Sequence, residues 1–171
     1  SPEQIKRAER IVADHIRTAT FIIADGVSPS NTDRGYVLRR IIRRAVRYAD
    51  LLGFVPGSLS AVAGVVIEKY KLIYPDIGVK VEEINKEIEK EENKFRKTFS
   101  RGIRELNDLI RELFTSGDAE KDKEKITGKN LFRIFSTDGF PLEMGLEEIN
   151  KILTGLVGFK SLSNKQEERI T

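Results

Sequence analysis

Arg39, Arg40, Arg43, Arg44 and Arg47 recur at helical spacing in the run LRRIIRRAVR, residues 38–47, and are the side chains here best suited to hold an anion. At about 100° per residue they fall on one arc of a helix, with Leu38, Ile41, Ile42, Ala45 and Ala49 on the opposite arc. A guanidinium is planar, permanently charged and able to donate in pairs, so a fixed row of them suits phosphate oxygens, with RNA backbone the natural target. The same row suits acidic side chains equally well, such as those of the Glu-rich stretch further along the chain, and the spacing leaves both readings open.

Other candidates are weaker. His15 lies on the apolar side of the first amphipathic segment, near Ala8 and Ile11. With no cysteine and no second histidine, a metal site there would need carboxylates for its remaining ligands, an uncommon set for transition metals, so His15 reads as a partly buried, hydrogen-bonded residue. Glu82-Glu83 and Glu91-Glu92 could serve acid/base chemistry or a hard cation, but on so charged a helix they read as solvent-facing. Gly53, Gly57 and Gly64 follow neither the P-loop nor the dinucleotide-binding pattern. The residue chemistry yields no catalytic residue and no metal ligand set; it describes a binding module.

The elements that must position these residues are helices. Ile5, Ala8, Val12, Ile16, Ala19 and Ile23 predict a helix over residues 2–24, closed by Asp25-Gly26 and followed by a loop, 26–33, rich in Ser, Asn and Pro. Asn31, Thr32 or Asp33 can cap the Arg-rich helix, residues 34–52, which Gly53 and Pro56 end. Ser58 can cap a third helix reaching residue 74, whose run 61–67 is apolar nearly all round and is expected deep in the core. Apolar positions from Ile77 to Leu113 predict one long helix, 77–115, with Glu91 and Glu92 interrupting its stripe and Gly102 a place where it can bend. A charged loop (116–127), a small helical subregion (128–160) and a polar tail (161–171) complete an all-α reading.

Charge is unevenly placed: residues 1–57 hold ten Lys/Arg against six Asp/Glu, and the rest of the chain is nearly balanced. The absence of cysteine removes disulfides and thiolate chemistry, and no stretch approaches the ~20 apolar residues of a membrane span, so a soluble, cytoplasmic protein is expected.

Two segments carry a family likeness. Residues 10–52, RIVADHIRTATFIIADGVSPSNTDRGYVLRRIIRRAVRYADLL, closely resemble the region after the active site of alanyl-tRNA synthetases, a class II family. Residues 126–143, ITGKNLFRIFSTDGFPLE, resemble that family's later stretch, commonly T-G, several residues, then L-Y-D-T-Y-G-F-P. Between them, residues 91–101 look like its E-E-E-x-F helix preceding R-G, so the likeness covers about residues 5–150 in the right order.

The resemblance implies the tRNA-recognition segment of an alanine-tRNA ligase. The family's catalytic domain, which uses ATP and Mg²⁺, is expected to precede residue 1, and its zinc-bearing editing domain to follow residue 171. The segment alone is therefore expected to hold no cofactor and to be inactive. Its implied partner is the acceptor stem of tRNA(Ala), marked by a G·U wobble pair, alongside the two missing domains and neither DNA nor membrane. Asn31, within Ser-Pro-Ser-Asn, matches one of the family's two base readers, and Arg34, Arg39, Arg40, Arg43, Arg44 and Arg47 would hold backbone phosphates. Aligning Gly139-Phe140-Pro141 with G-F-P puts Ser136 where the second reader, an aspartate, belongs, and Asp138 where a tyrosine is usual. The alternative function is a helical protein-interaction module whose basic helix docks on an acidic partner.

Overall fold

The apolar periodicity folds as expected into helices, and the computed structural model describes residues 1–115 of the chain. Five helices run through them: α1 Pro2–Ala24, α2 Asp33–Leu51, α3 Ser58–Tyr70, α4 Pro75–Val79 and α5 Val81–Thr115. No strand occurs among the described residues, and the fold is all-α. The expected loop 116–127, the subregion 128–160 and the tail, with Ser136 and Asp138, lie outside them. The chain divides into two compact units, Ser1–Arg96 and Lys97–Thr171. The first holds the Arg-rich helix.

Within that first unit, α1 packs mainly on α2 and also on α3 and α4. Ala8, Val12, Ile16, Ala19 and Ile23 of α1 and Leu38, Ile42, Ala45 and Ala49 of α2 are buried, and the alanines let the two helices lie close. Asp25 and Gly26 (φ 84°) end α1, and the Lys80 ammonium donates to the Ala24 carbonyl at 2.5 Å, a cation at the negative end of the helix. Phe21 meets Tyr70 and Tyr74 edge-on, with ring centroids 5.4 and 5.3 Å away, fixing the turn after α3 against α1.

Three expectations need correction. The third helix stops at Tyr70, and Pro75 starts the separate short α4, because proline favours a first helical turn and excludes helix from the residue before it. The long helix consequently begins at Val81, not at residue 77. Nor is α3 deep in the core: Leu59, Ala63, Val66 and Ile67 are buried, whereas Val65 is 69% exposed, since α3 covers the other helices with one face only.

The loop before α2 is fixed by its own contacts. Ser30 Oγ donates to the Thr32 carbonyl (2.8 Å) and accepts from the Thr32 amide (3.3 Å), while the Ser30 amide donates to the Gly35 carbonyl (3.1 Å). Thr32 is the N-cap residue of α2 without a side-chain capping bond, and Asp33 takes a positive φ of 51°. The loop lies so near α2 that a Cβ on Gly35 would collide with Ser30 Oγ and sit 2.6 Å from the Ser28 carbonyl oxygen. Gly35→Ala is therefore expected to displace the loop and cost about 1–3 kcal/mol by overpacking. Gly64→Ala, inside α3 with open space around it, is expected to stabilise by about 0.5–1 kcal/mol through helix propensity. Urea midpoints of the two variants check both signs.

Candidate nucleic-acid interface

The arginine arc of α2 is real, but the fold divides it lengthwise. Arg39, Arg43 and Arg47, four residues apart, lie on the side turned toward α5 and are 9%, 1% and 9% exposed. Arg34 and Arg40 are exposed and Arg44 is half-buried. For Arg39 and Arg43 burial is against a carboxylate. Arg43 Nε donates to Glu91 Oε1 at 2.6 Å, Arg39 Nε stands 3.4 Å from the same oxygen, and the Arg43 guanidinium lies over the Phe95 ring, 5.4 Å from its centroid.

For Arg39 and Arg43 the structure thus takes the second of the two readings the spacing left open, pairing with the Glu-rich helix. The Arg39 and Arg43 guanidinium groups cannot meet RNA phosphates while they hold Glu91, and Arg47 is as buried as Arg39, so phosphate contact for these three does not fit this fold. The solvent-facing reading of Glu91-Glu92 is corrected with it: the two carboxylates are 4% and 2% exposed and continue the buried stripe Ile84, Ile88, Phe95. Glu92 Oε1 accepts from Arg96 Nε (3.0 Å) and Nη2 (2.8 Å), and both its oxygens lie 3.3 Å from the Gly57 amide. Arg96 Nη1 also donates to Asp50 at 2.7 Å, tying α5 to the end of α2. Glu82 and Glu83 are exposed as expected.

The cations left for a partner form a surface on the other side of α2. Arg40 lies over the Tyr36 ring and Arg44 over the Tyr48 ring, each 5.8 Å from the centroid, so aromatic faces restrain both guanidinium groups. Arg44 also lines an open groove of about 900 Å³ with Lys6, Arg7, Arg10, Asp14 and His15 of α1. Sequence reasoning does not single out these basic residues of α1. The signal is nevertheless in the spacing, since Lys6, Arg7 and Arg10 stand apart from the apolar positions Ala8 and Val12.

His15 is partly buried, as expected; burial first, then the nearby Arg44, pushes its imidazole below the ordinary value of 6.5, with Asp14 opposing. No group of three or more His, Asp or Glu among the described residues is arranged to hold a metal. No described helix is long and apolar enough to cross a membrane.

Asn31 is exposed on the loop that Gly35 and Ser30 hold against α2. It does not cap α2. Its Oδ1 accepts a hydrogen bond from Arg39 Nη1 instead, joining the loop to the arginine that also faces Glu91.

The family model for tRNA synthetases class II (A) matches residues 1–169. The chain belongs to that family. Among its relatives are an alanine-tRNA ligase of Picosynechococcus, 38% identical over 98% of the chain, and one of Fusobacterium nucleatum, 40% identical over 94%. One of Bacillus velezensis is 40% identical over 95%. The chain spans 18% of the length of each.

In this class II (A) synthetase chain, Glu91 decides which arginines are available at the surface. Glu91→Leu leaves Arg39 and Arg43 facing an apolar side chain and is expected to cost about 3–5 kcal/mol, read as a urea midpoint, while Glu82→Gln leaves the midpoint unchanged. A second expectation concerns pH. Because the folded pKa of His15 lies below 6.5, the native state favours the neutral imidazole; its contribution to stability is complete above about pH 6.5 and declines as pH falls through the folded value. His15→Gln is expected to remove that part of the decline between pH 7.5 and 5.5. A variant that loses as much stability over this range as the parent would place the titration elsewhere.

Proposed function

We propose that the chain is the tRNA-recognising segment of an alanine-tRNA ligase, binding the acceptor stem of tRNA(Ala) for the whole enzyme to aminoacylate. The observation that supports this reading best is the pairing of an exposed, anchored amide, Asn31, with an exposed basic surface on the same helix–loop unit. Phosphate contacts set register and carry no sequence information; a base-edge contact supplies the choice. Arg34, Arg40 and Arg44, with Lys6, Arg7 and Arg10, take the first task, and Asn31 takes the second. In the wide, shallow minor groove of A-form RNA, a G·U wobble leaves the guanine 2-amino group without its usual partner, and the Asn31 oxygen can accept from it. On this reading the second reader comes from residues 136–141, which lie outside the described residues: Ser136 offers a hydroxyl and Asp138 a carboxylate, with turn stabilisation the role favoured for Asp138 from its place before Gly139. Activation of alanine with ATP and Mg²⁺, and any zinc-dependent editing, belong to other parts of the ligase. On this reading the segment is inactive on its own.

The test has two arms that fail differently. Replacing Arg10, Arg40 and Arg44 by glutamine is expected to weaken acceptor-stem binding and flatten its dependence on salt, by about 0.7–0.9 in log-log slope for each phosphate no longer neutralised, without changing preference. In the full-length ligase, Asn31→Ala is expected to cost about 1–3 kcal/mol in charging a G·U stem, leaving salt dependence and ATP–pyrophosphate exchange intact. RNA binding indifferent to both changes, alongside tight binding of an acidic protein, would establish the interaction-module reading instead.

A further inference from the structure

We infer that Arg39 is a positioning residue for base recognition: it selects the orientation in which the Asn31 amide meets RNA. The inference rests on the reading of Asn31 given above and adds to it a residue that touches no nucleotide.

A primary amide has two orientations of nearly equal shape, related by a half-turn of its last torsion, which exchange an acceptor oxygen for a donor nitrogen. On an exposed loop the two are close in energy, and a reader that needs an acceptor at one place is then correct only part of the time. Arg39 removes the ambiguity. A guanidinium has donors and no acceptor, so Arg39 Nη1 can face the Asn31 oxygen but not its NH₂ group. A carbonyl oxygen accepts twice, and the second lone pair of Oδ1 stays open for a guanine amino group, while Nδ2 is fixed as a donor beside it.

Arg39 can impose this choice because it is itself held. Its side chain is 11% exposed, and its Nε stands 3.4 Å from Glu91 Oε1, the oxygen to which Arg43 donates. The loop end is held independently by Gly35 and Ser30, so the backbone at Asn31 does not need Arg39 to keep its place. What Arg39 contributes is the last torsion of the amide. Burial also separates this role from phosphate binding, which requires exposed guanidinium groups.

The experiment is a double-mutant cycle in the full-length ligase, comparing kcat/KM on acceptor stems carrying G·U or G·C. Arg39→Met keeps the aliphatic stem and leaves Glu91 paired with Arg43. It is expected to lower G·U charging about tenfold, as for loss of one oriented base interaction, with G·C charging and the salt dependence unchanged. In an Asn31→Ala background it is expected to change discrimination no further. Arg39→Lys, which can donate to Glu91 or to Asn31 but not in Arg39's fixed fork, supplies the same comparison with a smaller loss if Arg39→Met lowers the melting temperature. Full discrimination in both Arg39 variants, with discrimination lost in Asn31→Ala, overturns the inference and leaves the reading of Asn31 standing. Equal losses on both stems, or losses that add to those of Asn31→Ala, also overturn it, marking Arg39 as a general structural or backbone residue. Discrimination retained in Asn31→Ala overturns the reading and the inference together.

Discussion

Glu91 lies inside the first unit at 4% exposure, where a carboxylate is costly unless it is paired, and Arg39 and Arg43 of α2 both close on its Oε1. Such a pair adds less to stability than its Coulomb energy suggests, because both ions give up water. Its stronger effect is on register. Leucine in place of Glu91 would accept several ways of sliding α5 along α2; a carboxylate that must meet two guanidinium groups accepts one. Glu92 repeats the constraint on the neighbouring side, receiving the Gly57 amide before α3 and Arg96, which continues to Asp50 at the end of α2. Two adjacent residues of one helix thereby locate α2 and the start of α3.

The same constraint sets what a partner can meet. Counted along the sequence, the run of residues 38–47 offers five arginines; in the fold, Arg40 and Arg44 face outward, and three are withdrawn beneath the surface. The basic surface is then completed from α1, where Lys6, Arg7 and Arg10 line a groove with Arg44. Charge in the N-terminal third therefore has two uses that composition cannot separate. One part is internal scaffolding that salt cannot reach easily, and the other is a screened exterior whose attraction depends on ionic strength.

Apolar periodicity makes α1 and α2 readable, because each presents one regular stripe to the other and ends at residues that stop helices, Gly26 and Gly53. It misplaces Glu91 and Glu92 for a physical reason: a stripe counted only by apolar residues treats a buried carboxylate as a break, although residues 84, 88, 91, 92 and 95 keep helical spacing throughout. Periodicity also carries α3 on to residue 74, since Leu72 and Ile73 continue an apolar pattern while being 89% and 70% exposed, and it merges α4, which Pro75 starts, with α5. The likeness to a known family supplies Asn31; the bond to Arg39, eight residues on, is beyond any local rule because it joins a loop to the buried side of a helix.

The position of Asn31 follows from where the unit places its strain. Asp33 holds a left-handed backbone, a conformation that costs about 1 kcal/mol for a residue with a side chain, and Gly35 has lost the freedom that any larger residue would have blocked. Neither feature lowers the energy of the free chain. Both keep the loop in one place, so that its ordering is completed on folding rather than on meeting a partner, where it would subtract from affinity. The buried arginine row acts to the same end: Glu91 fixes Arg39, Arg39 fixes the amide of Asn31, and an exposed side chain inherits the order of the core through two polar contacts.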